Sequence, residues 1–307
     1  LTKITVVGAG FVGATTVQRI AEKELGNVVM TDIIEGMPQG KALDLMESAP
    51  IVGFDVSVVG TNDYKDMRDS DVVVITAGIA RKPGMSRDDL IKTNSNIVGE
   101  VSENIKEYAP DSIVIVVTNP LDIMTYVALK KTGFHPGRVI GMSGVLDSAR
   151  FATFVAMELG CSARDVNAMV LGGHGDLMVP LPRHTTVSGI PITELMDKAA
   201  IDRLVEHTIN GGAEIVELLK TGSAFYAPSE AITLMVESIV RDQKHILPVA
   251  AYMYGQYGYE DIYLGVPVKL GRMGVEAVIE LDLNEPEQKM LAQSAEALKE
   301  AISTLDL

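Results

Sequence analysis

Through its first 140 residues the chain alternates short, continuous apolar runs with longer stretches in which apolar side chains recur every three or four positions. The runs are Ile4 to Val7, Val28 to Thr31, Val56 to Val59, Val72 to Ile75 and Ile113 to Val117. Continuous β-branched runs of this length are how strands covered on both faces of a parallel sheet read, and the stretches between them carry helical spacing. The first repeat is explicit. After the strand ending at Val7, residues Ala14, Val17 and Ala21 share one helical face, Gly26-Asn27 makes a turn, and a second strand follows, so residues 3–32 form a βαβ unit. The pattern predicts an α/β fold with a doubly wound parallel sheet.

From about residue 144 the texture changes. Long helical stretches, Ile201 to Leu219 and Ala231 to Val240, are interleaved with turn-rich strands such as Val179 to Val187 and Ile262 to Leu270. This predicts a second, mixed α+β domain, with residues 1–143 and 144–307 as the two units. No Pro- or Ser-rich linker separates them, so a broad interface is expected rather than a tether. Near the end, Asn284 with Glu287 three residues on resembles a capping box. The stripe Leu291, Ala295, Leu298, Ile302 and Leu305 that follows is expected to pack on its own subunit.

Composition narrows the function classes. At 307 residues and 47% hydrophobic side chains, the chain can bury a large core. Its apolar runs are far shorter than the roughly 20 residues of a bilayer-spanning helix. A strand beginning at Ile4 leaves no room for a secretory signal, so a cytoplasmic location is expected. The lone Cys161 excludes an internal disulfide and a cysteine-built zinc site, and no metal is expected. With 26 basic and 41 acidic residues the net charge is -15, which repels nucleic acid and anionic membranes alike. The acidic excess reads as a solvated surface or as adaptation to salt. An anionic substrate would then need arginines concentrated at its site.

Residues 8–13 read Gly8-Ala9-Gly10-Phe11-Val12-Gly13, a GxGxxG between the first strand and the first helix. In that setting Gly8 permits a tight turn, Gly10 lets the backbone approach a pyrophosphate, and Gly13 allows close helix–strand packing at an anion-stabilising helix N-terminus. Asp32 ends the second strand 19 residues after Gly13, where its carboxylate can bind the adenosine ribose hydroxyls and repel a 2'-phosphate. NAD is therefore the expected cofactor, in a Rossmann-type domain.

Four further segments carry polar groups at strand or helix ends. Residues 81–90, with Arg81, Arg87 and a central Pro83-Gly84, read as a mobile loop at the carboxyl edge of the sheet. Thr118-Asn119-Pro120 places an amide where the fifth strand ends. Asp147 and Arg150, three apart on a helix, read locally either as a surface ion pair or as two groups facing one cleft. His174, in Gly172-Gly173-His174-Gly175-Asp176, has glycine neighbours that leave its imidazole open to a ligand. His135, His184, His207 and His245 read as structural, in a turn, a strand, a helix and beside Pro248 respectively.

Taken in order, GAGFVG, Asp32, ARKPGMSRDDL, TNPLD, GVLDSARF and GGHGD resemble the lactate/malate dehydrogenase family along essentially the whole chain, and within it the malate dehydrogenases of the lactate-dehydrogenase-like type. That resemblance implies reversible NAD-dependent oxidation of (S)-malate to oxaloacetate. It makes His174 the proton acceptor and Asp147 the carboxylate that orients it. Arg150 would clamp the substrate C1 carboxylate, Arg87 would polarise the C2 carbonyl, and Asn119 would bond substrate and nicotinamide. Asn94, Val117 and Thr118 would line the cofactor cleft with Ala9, Phe11 and Val12. Arg81 takes the specificity position, where lactate-type relatives carry an uncharged glutamine. Gly222-Ser223-Ala224 lacks the threonine found there in lactate enzymes, which leaves the roles of Ser223 and Ala224 open. The resemblance also implies a homo-oligomer, a tetramer in preference to a dimer. Lactate or another 2-hydroxy acid as substrate, or an NAD-sensing module without catalysis, are the competing readings; Arg81 argues against the first and the intact Asp147, Arg150 and His174 against the second.

Overall fold

The computed structural model describes residues 2–80 and 84–305. The cofactor half runs β1 Lys3–Val7, α1 Phe11–Glu22, β2 Asn27–Thr31, α2 Met37–Val52, β3 Val58–Thr61, β4 Val72–Ile75, α3 Arg87–Tyr108, β5 Ile113–Val116, α4 Leu121–Thr132 and β6 Val139–Gly141. These six strands are parallel, in the order β3-β2-β1-β4-β5-β6. The order reverses between β1 and β4, and the crevice outside the carboxyl ends of strands at such a switch point is where doubly wound sheets bind ligands. Helices cover both faces, so β4 and β5 are wholly buried, as their unbroken apolar runs require.

The second half continues with α5 Gly144–Leu159, β7 Val166–Asn167, β8 Val170–Gly172, β9 Met178–Pro180, β10 Thr186–Val187, β11 Ile190–Pro191, α6 Ile192–Leu195, α7 Lys198–Leu219 and α8 Tyr226–Val240. It closes with β12 His245–Tyr254, β13 Glu260–Gly271, β14 Gly274–Val278 and α9 Glu285–Ser303. The β12–β13 hairpin extends the parallel sheet antiparallel, docking on β6 through Ala250 and Gly141. A side chain at Gly141 would strike Leu121, Thr125 and Ala250, so glycine is what lets the two halves close on one sheet. One apolar core accordingly runs from Ile4 through Leu298, with a smaller cluster around Phe151 and Ile201. Among the described residues no helix is long and apolar enough to cross a membrane.

Three local expectations shift. The third strand starts at Val58 rather than Val56: Val56 is buried but precedes the ladder, and β3, at the sheet edge, leaves Val59 half exposed. The single strand expected over 179–187 is two strands in different sheets, split by a 3₁₀ turn at Pro182–His184 where prolines deprive the ladder of donors. His184 thus sits in that turn. Of the loop expected over 81–90, residues 81–83 lie outside the described residues, and 87–90 are helical, because Ser86 and Asp89 form a capping box that starts α3 at Arg87. The stripe on α9 behaves as read: Leu291, Ala295 and Leu298 are buried in the chain's own core, with Ile302 and Leu305 packed against it.

Candidate active site

The cofactor crevice is built from the carboxyl ends of β1, β4 and β5. Gly8 has φ +108, and a Cβ there would meet Thr76 Oγ1 and the Ala77 nitrogen; one at Gly13 would overlap the Gly8 carbonyl. Those two glycines hold the turn against the neighbouring strand and α1 against the turn. A Cβ at Gly10 would meet nothing within 4 Å, so the backbone is open there. Gly10 offers no side-chain cap to α1, and the first turn carries no acidic residue to compete with a bound anion. These features fit a dinucleotide pyrophosphate. Asp32 accepts hydrogen bonds from the Ala9 and Ile34 N–H groups at 2.7 and 2.9 Å and keeps lone pairs for ribose hydroxyls. Lys41 of α2 donates to the Ala9 carbonyl at 2.5 Å and lies over the Phe11 ring. Phe11 is exposed and stacks on Phe225, and Ser229 donates to the Val12 carbonyl, so the glycine turn is tied to α8.

Asn94, Val117, Thr118 and Asn119 gather at the same edge. The Asn94 amide is fully buried: it accepts from the Ile79 N–H and donates to the carbonyls of Ile79 and Asn119, holding two strand-end loops together. Thr118 donates to the Ala77 carbonyl, and Asn119 is exposed two residues before α4. Val117 continues the ladder by donating to the Ile75 carbonyl.

The second group of candidates meets through Asp147. Its carboxylate, 2% exposed on the first turn of α5, lies 2.9 Å from His174 Nδ1 and 3.4 Å from Arg150 Nη1. The pairing read locally as a surface or cleft contact is a buried one, with the Arg150 side chain 12% exposed. Glycine makes room for it: a Cβ on Gly211 of α7 would stand 2.6 Å from Arg150 Cδ. Arg150 also borders a cavity of about 380 Å³ between α5, α7 and α8, whose wall includes Phe154, Leu218 and Ala224.

His174 follows β8 on a loop whose backbone is held from outside. The Gly173 N–H donates to Ser294 Oγ of α9 at 2.7 Å, and the His174 N–H to Asp122 Oδ2 of α4 at 2.9 Å. Burial is the strongest influence on the imidazole and lowers its pKa. The charge and hydrogen bond of Asp147, with the charge of Asp122, outweigh it, so the value ends above that of an ordinary histidine despite Arg150. For Asp122, burial pushes the carboxyl up to about 6 despite its bond from the His174 backbone.

Arg87 stands exposed as the first residue of α3 and, among the described residues, makes no hydrogen bond or ion pair to the His174 group. Arg81 lies outside the described residues. Sequence reasoning missed Asp122, Ser294, Lys41 and Gly211. Asp122 stood within a quoted motif, but its contact spans 52 residues and that of Ser294 spans 121, with no local signal for either. Among the described residues no three His, Cys, Asp or Glu side chains are grouped to hold a metal.

Two family models match consecutive stretches: lactate/malate dehydrogenase, NAD binding domain, over residues 2–141, and lactate/malate dehydrogenase, alpha/beta C-terminal domain, over residues 144–306. A malate dehydrogenase of Methanosarcina barkeri is 64% identical over 307 residues, covering 100% of both chains. Among solved structures, the malate dehydrogenase of Salinibacter ruber is 54% identical with a TM-score of 0.95, over 98% of this chain and 97% of that one. A lactate dehydrogenase of Cryptosporidium parvum, complexed with lactic acid and nicotinamide adenine dinucleotide, is 42% identical with a TM-score of 0.96, over 99% of this chain and 98% of the other.

Proposed function

The chain belongs to the lactate/malate dehydrogenase family, and from that premise we propose that it interconverts (S)-malate and oxaloacetate with NAD, using His174 as the acid–base group. The observation that carries the assignment of residues is the Asp147 carboxylate joined at once to His174 Nδ1 and Arg150 Nη1. When bound, NAD supplies the hydride acceptor, held through Gly8 to Gly13, Asp32 and the strand-end residues Asn94, Val117, Thr118 and Asn119. Oxidising a 2-hydroxy acid requires the hydroxyl proton to leave as the C2 hydride does. His174 takes it on Nε2, because Nδ1 is engaged by Asp147, and Asp147 stabilises the imidazolium that forms. Arg150 keeps guanidinium N–H groups beyond the one facing Asp147, enough to fork the C1 carboxylate.

Arg87 polarises the C2 carbonyl and Arg81 receives the distal carboxylate of the dicarboxylate. Both roles rest on the family motif and on charge: a chain of net -15 that binds a dianion must supply local cations. Residues 1–143 form the NAD-binding unit and 144–307 the substrate-binding and catalytic one, with Arg81, Arg87 and Asn119 contributed to the substrate from the first. We assign the chain to the cytoplasm, which its single unpaired Cys161 suits, and to a homotetramer rather than a dimer. Steady-state NADH oxidation with oxaloacetate and pyruvate side by side tests the reading; oxaloacetate should be strongly preferred, and equal rates with both would overturn it.

A further inference from the structure

Asp122 is a costly residue to place where it stands. It is 3% exposed, its Oδ1 has no hydrogen-bond partner among the described residues, and its Oδ2 accepts a single backbone N–H, that of His174. Burying a carboxylate with one oxygen unpartnered is unfavourable. The anchoring alone does not need it, because the neighbouring Gly173 N–H is held by a neutral hydroxyl, that of Ser294. What a carboxylate adds over a hydroxyl or an amide at this point is negative charge.

We propose that Asp122 is a positioning residue for His174, fixing its backbone while setting a second buried negative charge, beside that of Asp147, against the imidazole. The proposal rests on His174 being the proton acceptor. The charged groups that bear on the imidazole are Asp147 and Arg150 from α5 and Asp122 from α4, while α9 contributes the uncharged Ser294. Of these, Asp147 and Asp122 favour the protonated ring and Arg150 opposes it. Asp147 also orients the ring through Nδ1. Asp122 touches only the backbone, so its charge acts through space, and replacing it by a neutral acceptor separates charge from anchoring.

The test is kcat/KM for malate against pH in wild type, Asp122→Asn, Ser294→Ala and His174→Asn, with NADH binding followed by fluorescence in each. Malate oxidation needs neutral His174, so its acid limb reports the proton affinity of that imidazole. Asp122→Asn keeps an acceptor for the His174 N–H and should move the limb to lower pH by about half to one unit, a roughly three- to tenfold weaker proton affinity. Ser294→Ala removes a neutral anchor and should lower kcat with the limb unmoved. If Asp122→Asn loses NADH binding, Asp122→Ser, smaller and also an acceptor, carries the same expectation. A limb coincident with wild type in the Asp122 variant, or an equal shift in Ser294→Ala, overturns the proposal while leaving His174 as the base. Undiminished turnover in His174→Asn instead removes the reading beneath it.

Discussion

Asp147 stands in the core between the His174 imidazole and the Arg150 guanidinium, so on the proposed reading it cannot be altered without disturbing both the proton acceptor and the substrate clamp. Asp147→Asn should slow turnover and weaken oxaloacetate binding together, because the imidazolium loses its counter-charge. Arg81 belongs to a different decision. On the proposed reading pyruvate has no distal carboxylate to pair with Arg81, and a desolvated charge left without its partner costs about 3 to 5 kcal/mol, or roughly two to four orders of magnitude. Arg81→Gln should therefore raise pyruvate reduction as oxaloacetate reduction falls, whereas Arg87→Gln should depress both, since carbonyl polarisation is common to them. Measuring kcat/KM for both substrates decides it: an unchanged ratio in Arg81→Gln would place specificity elsewhere. Asp122 supplies a prediction for stability. Its folded pKa is raised from 3.8 to about 6, so the folded chain binds the proton more tightly than the unfolded one. The stability this adds is complete below about pH 4 and is lost as pH rises through about 6. Asp122→Asn should gain in Tm relative to wild type across that window and hold the gain above it. A relative loss across the same window would reverse the assignment. The chemistry-bearing residues were legible because turns and strand ends advertise them: Gly8 to Gly13, Asp32 and His174 each sit at an element boundary. Asp122 and Ser294 were not, since only folding brings α4 and α9 to the His174 loop.

At the level of elements, α5 and α7 decide where Arg150 points. Gly211 of α7 lies against the Arg150 stem, while a Cβ on its neighbour Gly212 would stand 3.6 Å from Arg150 Nη2, an ordinary contact. Helix propensity favours alanine at both positions by about 1 kcal/mol. Gly211→Ala should nevertheless raise KM for oxaloacetate and lower kcat/KM by roughly tenfold to a hundredfold with NADH affinity unchanged, since small displacements of a substrate clamp are that expensive. Gly212→Ala should stay close to wild type. Equal effects of the two substitutions on kcat/KM would show that α7 does not position the guanidinium. The parallel strands were readable because burial on both faces leaves an uninterrupted apolar run, as in β4 and β5. The reading slipped where that condition fails. At the edge strand β3 one face meets solvent, and between β9 and β10 prolines break the ladder inside an apolar stretch. The start of α3 was missed although Ser86 and Asp89 stand at capping-box spacing, a signal in the sequence that the loop reading passed over.

Over the whole molecule, the sheet runs without interruption from β3 to β9, so the cofactor crevice and the His174 loop are parts of one rigid scaffold. That continuity was only half legible: the absence of a linker predicts a broad interface, but a single shared sheet depends on the close meeting of Gly141 and Ala250. On the proposed reading, a chain of net charge -15 recognises a dianion because Arg150 is held locally, beside Asp147 and His174. In the proposed NAD-dependent exchange of malate and oxaloacetate, everything turns on His174 carrying the proton. Its most direct test is the turnover of His174→Asn with oxaloacetate and NADH, with NADH affinity measured on the same sample. Asparagine preserves a polar group of similar size but cannot cycle a proton near neutral pH. The variant's kcat should fall by roughly two to four orders of magnitude with NADH affinity close to wild type. Turnover near the wild-type rate, in a variant that binds NADH normally, would contradict it.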